Sequence, residues 1–587
     1  MTTTHLHPSA WGTARPQAWA QLPEALTQGL EACPLDWALA YTLQSLCPAP
    51  DPHEAAWVAA VSAAWRAGHA CLEVHDPQGQ ARCQALPWAD PQDPLSPLVW
   101  QAPGLYLRRA WAAEVTIRQA IRDRLTHSPE PESWPLAEWE ARCWSGDPTP
   151  ADTAQRQAAR QALRQGFTLI TGGPGTGKTH VVARILALRQ AQALHTLGRP
   201  LRVGLAAPTG KAAARLSQAL AQSARQLPPE WTVWPEQATT LHRALLNASP
   251  DQPLREDLWV IDEASMIDLE LMARMLSALS PQTAVVMLGD PDQLASVDAG
   301  AVLAQLCAAP EVAAHRIHLS HSHRFEDHRG IGQWARLTQQ GQAQALVAAW
   351  ADLPPLQASD WGQHAVSRCD SPQDRPPALA EAIRAGWHDW LQWLAPLRDG
   401  LTGCTDDQAL QGLDALSRLG VLCAVREGPR GVGALNAWVN ELLGLGPADA
   451  AGWYGGRPVM VTQNLPQLGL MNGDVGLCLP REVNGQVQWR VAFAQPQNAL
   501  HPVRWLPPSQ VHPVETAWAI TVHKAQGSEF QRVIIALPNS DSPILTREWL
   551  YTALTRARES VGLWASQPEG LALAAQRPTQ RMGGLHR

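Results

Sequence analysis

The chain has 587 residues and 45% hydrophobic content, long enough for several ordinary domains and apolar enough to pack their cores. Only 17% of residues are charged, and 53 acids against 46 bases leave a formal charge of −7, so there is no global cationic field and a polyanion must be met by a local groove. Ten cysteines with no CxxC pair exclude a zinc ribbon, an iron–sulfur cluster and a dense disulfide framework, and with no basic n-region, apolar h-region or long apolar run the expectation is a cytoplasmic chain with reduced thiols.

Helical periodicity covers residues 1 to about 110, as in 35–46 and 55–67, with Pro-rich breaks at 48–52 and 87–97. Pro and charge cluster again over 128–151, and beyond it apolar runs alternate with helical stretches, as a parallel sheet requires. The runs 167–171, 203–207, 258–261 and 284–288 read as buried strands of an α/β core. A second α/β unit starts near 330, with candidate strands at 421–425, 458–462, 517–521 and 532–537, while 351–380 carries no readable pattern. From about 474 to 515 the text is short and β-like, with Asn484-Gly485 as a hairpin turn, and predicts a small β-barrel insertion. The tail after about 568 reads as frayed, and no internal repeat stands out.

Of the 46 basic residues only Lys178, Lys211 and Lys524 are lysine. Arginine and lysine exchange freely on a solvated surface but not where a compact ammonium must fit, so the three positions are candidate sites in themselves. Lys178 closes Gly172-Gly173-Pro174-Gly175-Thr176-Gly177-Lys178-Thr179, a GxxxxGK[ST] match between a strand and a helix. In such a loop backbone N–H groups cradle phosphates, Lys178 reaches the β and γ oxygens, and the Thr179 hydroxyl ligates Mg²⁺. The strand 258–261 ends in Asp262-Glu263, where Asp262 suits the Mg²⁺ shell and Glu263 the attacking water. Gln293, in Gly289-Asp-Pro-Asp-Gln293, lies where an amide can sense the γ-phosphate. Lys211 follows Pro208-Thr209-Gly210 at a helix start, a backbone amide cluster plus a cation suited to a DNA phosphate.

The segments GGPGTGKT, APTGKAAARL, TTLHRAL, VIDEASM, GDPDQL, HRF, TVHKAQGSEF and LYTALTRAR, in this order, resemble superfamily 1 DNA helicases of the 5′→3′ branch. Within that branch REGPRGV, GRPVM and NGDVG, with Arg324-Phe followed by Gly330-Ile-Gly-Gln, are similar to the RecD family, the alpha subunits of exonuclease V. The resemblance covers about 150 to 567 well and the N-terminal part more weakly. It implies an α/β fold of two RecA-like P-loop domains with a helical N-terminal domain and a small SH3-like barrel. The ranges are 1–112 for a partner-docking domain, 113–329 for the first motor domain and 330–587 for the second.

The resemblance further implies ATP and Mg²⁺ as cofactors, with Arg324, Glu529 and Arg556 reaching the nucleotide from the second domain and Arg556 as arginine finger. Gln155 sits where these helicases read adenine, and Gln157, Gln161 and Gln165 on the same helix are open alternatives. Gly527 and Glu529 would meet the nucleotide sugar and phosphates, while Pro208, Thr209, Lys211, His242, Thr521 and His523 would line a single-strand track, and Lys524 could serve either side. His180, His323, Ala525 and Gln463-Asn464-Leu465 depart from the usual motifs without removing a catalytic group. With 27 Trp against four Tyr and four Phe, a base-stacking platform would be a Trp, though none can be singled out. No nuclease constellation is visible, so nuclease activity would belong to the RecB-like and RecC-like partners of a heterotrimer acting at DNA ends. The other readings are a free-standing helicase, disfavoured because the first 110 residues lack Gly-rich hairpin pairs, and a mainly regulatory ATPase subunit.

Overall fold

The computed structural model describes residues 14–587 except 28, 46–51, 127–133, 145–149, 247, 250, 323, 325–329, 360, 447–448, 450, 496–500 and 539–541. Much of the expected break over 128–151 and the departure at His323 therefore lie outside the described residues.

The helices Pro34–Ser45 and Pro52–Arg66 follow the predicted periodicity and enclose a small core with Trp37, Trp57, Leu72 and Leu105. Three short strands, unread in the sequence, complete this region: β1 (Leu72–Glu73), β2 (Leu98–Gln101) and β3 (Gly104–Leu107), in the antiparallel order β1-β3-β2. The helix Arg108–Leu125 runs straight out of β3, and its buried Arg124 donates to Thr283 O at 3.0 Å and Ser280 O at 2.8 Å. Those bonds join the N-terminal region to the next core.

That core is a six-stranded parallel sheet of β4 (Phe167–Gly172), β5 (Val203–Ala207), β6 (Thr239–Thr240), β7 (Leu258–Ile261), β8 (Ala284–Gly289) and β9 (Arg316–Leu319), ordered β6-β5-β7-β8-β4-β9. The central strands are buried almost throughout, as near-continuous Val/Ile/Leu runs require when helices cover both faces. One of those covers is the helix Lys178–Leu197, which starts at Gly177 in the left-handed conformation and ends at Gly198 in the same conformation.

The second parallel sheet has order β10-β19-β18-β11-β17, beginning with β10 (Val366–Asp370) and β11 (Leu419–Cys423). Inserted into it is an antiparallel sheet of β12 (Pro458–Val461), β13 (Val475–Val483), β14 (Gln486–Ala494), β15 (Val503–Leu506) and β16 (Val514–Thr516), ordered β15-β14-β13-β12-β16. The chain then returns through β17 (Ala519–Thr521), β18 (Phe530–Ala536) and β19 (Ala557–Ala565). The expected parallel strand at 458–462 is thus corrected: Met460 pairs antiparallel with Val475 and Glu515, so the insertion begins near 458 instead of 474. A four-residue buried run looks the same in either sheet. The Asn484-Gly485 turn is as predicted, with φ of 53° and 76° joining Val483 to Gln486 in a primed hairpin.

The tail is a second correction. Past the helix Glu569–Gln576, Thr579 Oγ1 donates to Glu548 Oε2 at 2.6 Å, Ala70 N donates to Met582 O at 2.8 Å, Gly584 N donates to Glu114 Oε1 at 2.8 Å, and Arg587 pairs with Glu73. The end does not fray because its backbone and side-chain groups find partners at Glu548, Ala70, Glu114 and Glu73, well back along the chain. Among the described residues no helix is long and apolar enough to cross a membrane.

Candidate nucleotide and DNA site

In the first sheet the functional residues gather at the C-terminal ends of the parallel strands, where an open α/β sheet leaves its crevice, whereas Glu529 and Arg556 stand immediately before β18 and β19, at the N-terminal ends of those strands of the second sheet. β4 ends in the loop 173–177, and positive φ of 80° at both Gly175 and Gly177 turns that loop sharply into the helix. The Lys178 ammonium donates to Gly172 O at 2.6 Å and Gly173 O at 3.1 Å, and Thr176 Oγ1 donates to Gly173 O at 2.9 Å. A Cβ added to Gly173 would lie 2.8 Å from Tyr551 Oη, and one on Gly175 would lie 2.5 Å from Arg324 Cβ. The loop is therefore overhung by Tyr551 from the second half and by Arg324.

Asp262 and Glu263 stand at the end of β7. Asp262 Oδ1 accepts from Glu263 N at 2.8 Å, and burial, reinforced by the Glu263 charge, lifts the Asp262 carboxyl to about 6. Glu263 adopts φ 52°, a left-handed conformation uncommon for a side chain of its kind and of the sort found at functional sites. At the end of β8, Asp290 is buried and accepts from Gln293 Nε2 at 3.0 Å and from Tyr551 Oη at 3.1 Å; burial raises its carboxyl too. Gln293 is thus held by Asp290.

Arg324 corrects an expectation. It follows β9, the edge strand of the first sheet, so it overhangs the phosphate loop from the first domain's side. The connection leaves the first sheet only after this strand, which sequence reading had not found. Arg324 Nη2 donates to both oxygens of Glu529 at 3.0 Å each. Arg215 adds an ion pair to Glu529 at 2.6 Å and Arg558 one at 3.0 Å, and these guanidinium groups hold the carboxyl down at about 2 against the effect of burial. Arg556 is buried, donating to Thr552 O at 3.1 Å and Ser528 O at 3.3 Å; burial lowers its guanidinium, while the charges of Glu263 and Glu529 oppose that.

On the proposed DNA side, Thr209 caps the helix Gly210–Ala224 by accepting from Ala212 N at 3.3 Å, with Pro208 just before it at the end of β5. Lys211 Nζ donates to Ser528 Oγ at 3.4 Å, and burial, with Arg215 adding, lowers its ammonium to about 8 although Asp474 opposes this. His242 follows the neighbouring β6 and is exposed. Thr521 ends β17 and its Oγ1 accepts from Lys524 N at 3.4 Å, while burial and the Arg581 charge lower the His523 imidazole. Lys524 pairs with Glu515, which also accepts from Arg426 at 3.2 Å. Gln155 Oε1 is buried without a hydrogen-bond partner among the described residues, whereas Gln157 is exposed and Gln161 and Gln165 both donate to Ala314 O.

The two halves meet through further contacts. Leu294 N donates to Thr552 Oγ1 at 2.9 Å, and Leu294 O accepts from Gln526 Nε2 at 2.8 Å. Sequence reading missed Asp290, Tyr551, Thr552, Gln526, Arg215 and Arg558 as participants. Each lies inside or one helical turn from a motif already singled out, and that spacing was the available signal.

Comparison with known proteins agrees with this arrangement. The family model for the RecBCD enzyme subunit RecD N-terminal domain matches residues 32–142, an AAA domain model matches 150–358, and a UvrD-like helicase C-terminal domain model matches 516–564. The RecBCD enzyme subunit RecD of Mycolicibacterium smegmatis is 37% identical over 96% of this chain and 98% of its own length. The subunit RecD of Haemophilus influenzae is 30% identical over 84% of this chain and 82% of its own. The ATP-dependent RecD2 DNA helicase of Deinococcus radiodurans is 27% identical over 82% of this chain and 58% of its own. With relatives of this identity and coverage, and a phosphate loop facing arginines across two parallel sheets, the chain belongs to the RecD family.

Proposed function

We propose that the chain is an ATP-dependent 5′→3′ DNA helicase and translocase, working as the RecD-like subunit of a heterotrimer that processes DNA ends with RecB-like and RecC-like partners. The observation that carries this is the facing of two charge sets: the Lys178 loop with Asp262 and Glu263 on one sheet, and Arg556 approaching Glu263 from the other. Residues 1–112 would be the docking domain, 113–329 and 330–587 the two motor domains, and the inserted sheet a small SH3-like barrel. Cytoplasmic location follows from that role.

The residues present fit ATP with Mg²⁺. Asp262 is a desolvated carboxylate that makes no ion pair among the described residues and feels only the charges of Lys178 and Arg215 as opposing burial, so a divalent ion held by Asp262 and Thr179 would relieve its burial. The glycine-rich loop from Gly172 to Gly177 has few side chains to keep a phosphate from its backbone, and Gln155 offers an amide oxygen that has no partner among the described residues to an adenine edge. Bound, the nucleotide supplies the anhydride whose hydrolysis powers the cycle. Lys178 and Arg324 then hold its phosphates, Gln293 stays aimed by Asp290, Glu263 orients water, and Arg556 meets the charge that develops in the transition state. Thr209, Lys211, His242, Thr521 and His523 grip the strand at the rims of both sheets, so closing and opening of the cleft moves it along.

The test is unwinding of a short duplex with a 5′ or a 3′ single-stranded tail, by the chain alone and with its partner subunits, using Lys178→Gln as control. Opening from the 5′ tail alone, abolished by Lys178→Gln, is the expected result; opening from the 3′ tail would reverse the polarity. Hydrolysis without unwinding until the partners are added would identify a motor that needs its complex.

A further inference from the structure

The three residues Gly527, Ser528 and Glu529 form a turn between the strand-track residues after β17 and the start of β18, and it is gripped from both halves of the motor. From the second half, Arg556 Nη1 donates to Ser528 O at 3.3 Å and Arg558 Nε to Glu529 Oε2 at 3.0 Å. From the first half, the grip comes from one face of a single helix, Gly210–Ala224. Lys211 and Arg215 lie one turn apart on it and so point the same way. Lys211 reaches Ser528 Oγ at 3.4 Å, while Arg215 spans the turn, Nη1 to Gly527 O at 3.0 Å and Nη2 to Glu529 Oε1 at 2.6 Å.

We propose that Arg215 is a positioning residue that couples the DNA-gripping helix 210–224 to the nucleotide cleft, by seating the Gly527–Glu529 turn through its two-point contact. The inference rests on the reading that Lys211 and Thr209 hold DNA. Arg215 is suited to this because a planar guanidinium presents two donors at once, to a carbonyl and to a carboxylate two residues further on. A shift of the helix on binding a strand is carried by those two bonds to Glu529, and through Glu529 to Arg324, which overhangs the phosphate loop at Gly175. The same turn touches Arg556 through Ser528 O. Both arginines that face the nucleotide are thus one contact away from the turn. Arg215 itself touches neither a phosphate-loop residue nor the strand-track histidines among its described bonds, so its action is through Glu529.

The experiment compares the full-length chain with Arg215→Gln and Arg215→Lys, measuring ATPase with and without an oligo(dT) probe, KM for ATP, oligo(dT) affinity by anisotropy, and thermal melting. Arg215→Gln is expected to bind oligo(dT) nearly as wild type while its DNA stimulation of kcat falls about 10-fold, a coupling of ordinary allosteric size. Arg215→Lys, which keeps the charge but not the fork, should recover part of that stimulation without changing affinity. Stimulation unchanged in both variants overturns the proposal. So does a parallel loss of affinity and stimulation, which would make Arg215 a strand contact, or an early melt of Arg215→Gln accompanied by wild-type stimulation in Arg215→Lys, which would make it merely structural. Lys211→Ala, measured alongside, tests the underlying reading separately: undiminished oligo(dT) affinity there removes Lys211 from the track whatever Arg215 does.

Discussion

The rims of the two parallel sheets carry opposite charge problems. At the first rim, Asp262 and Asp290 are buried with mostly neutral partners, and burial raises both carboxyls, Asp262 to about 6. At the second rim the carboxylate of Glu529 is mostly buried yet held at about 2 against that burial by Arg215 and Arg324, with Arg558 also paired to it. Burial raises the carboxyls at both rims, yet the outcomes are opposite, so local charge balance, and not desolvation alone, sets the state of each. The first is short of positive charge and the second has a surplus of it. On the proposed reading, a triphosphate with a divalent ion between them would answer both.

The largest effect should come from removing a group aimed across that gap. Arg556→Ala is expected to lower ATPase kcat by about 10³- to 10⁵-fold, the usual worth of an arginine finger, with oligo(dT) affinity little changed. A loss of under tenfold, seen in single-turnover hydrolysis, would mean that the second rim does not act on the first.

Neutralising the other side of the comparison comes next. Glu529→Gln leaves three arginines without their common anion, and because those arginines are partly solvated the loss is about 1–3 kcal/mol, below that of a fully buried pair. The sign with pH is definite. The folded carboxyl titrates at about 2 and the usual one at 4.5, so the contribution is complete above 4.5 and disappears as pH falls through that interval. Denaturant melts should therefore show wild type losing its advantage over Glu529→Gln between those pH values. An advantage that persists at pH 2 would show that the arginines are not what holds Glu529.

Lys211 sharpens the comparison on the DNA side, where burial depresses a cation. Its ammonium titrates at about 8 instead of 10.5, so strand affinity should be flat below pH 7 and fall between about 7 and 9. Lys211→Arg should abolish that fall. Lys211→Ala should weaken oligo(dT) binding and reduce the salt slope by about 0.7, one single-strand phosphate contact. Titration of affinity against salt and pH separates these outcomes, and an unchanged slope would place the phosphate elsewhere.

Much of this was legible in the residues. The strands read at 167–171, 203–207, 258–261 and 284–288 form as β4, β5, β7 and β8, because a strand covered on both faces must be apolar throughout and so announces itself. The motif loops stand at their ends. What stayed hidden depended on pairing across long separations. β9, Arg316-Ile-His-Leu, alternates like a half-exposed strand, so the sequence alone does not show that Arg324 follows an edge strand of the first sheet. The run at 458–461 gave no sign of which sheet it joins, and the tail's partners, Glu548, Ala70 and Glu114, lie tens to hundreds of residues away. Arg215 was visible as a letter in APTGKAAARL, but among 43 arginines nothing local distinguished it.

The smallest expected effect tests whether the first rim's deficit is met partly by neutral donors. Tyr551 Oη donates to Asp290 Oδ2 at 3.1 Å across the cleft, beside the Gln293 donor that remains when it is gone. Tyr551→Phe removes one hydrogen bond to a buried carboxylate that keeps its others, a loss of about 1 kcal/mol. With one donor fewer to the ionised form, Asp290 should protonate at higher pH, moving the acid limb of the ATPase profile upward while the plateau rate falls by about fivefold at most. If the limb does not move, Asp290 is balanced by Gln293 and the backbone alone, and Tyr551 serves only to cover Gly173. A drop approaching that of Arg556→Ala would instead make the tyrosine part of the charge that crosses the gap, and the two rims would be less distinct than their carboxylates suggest.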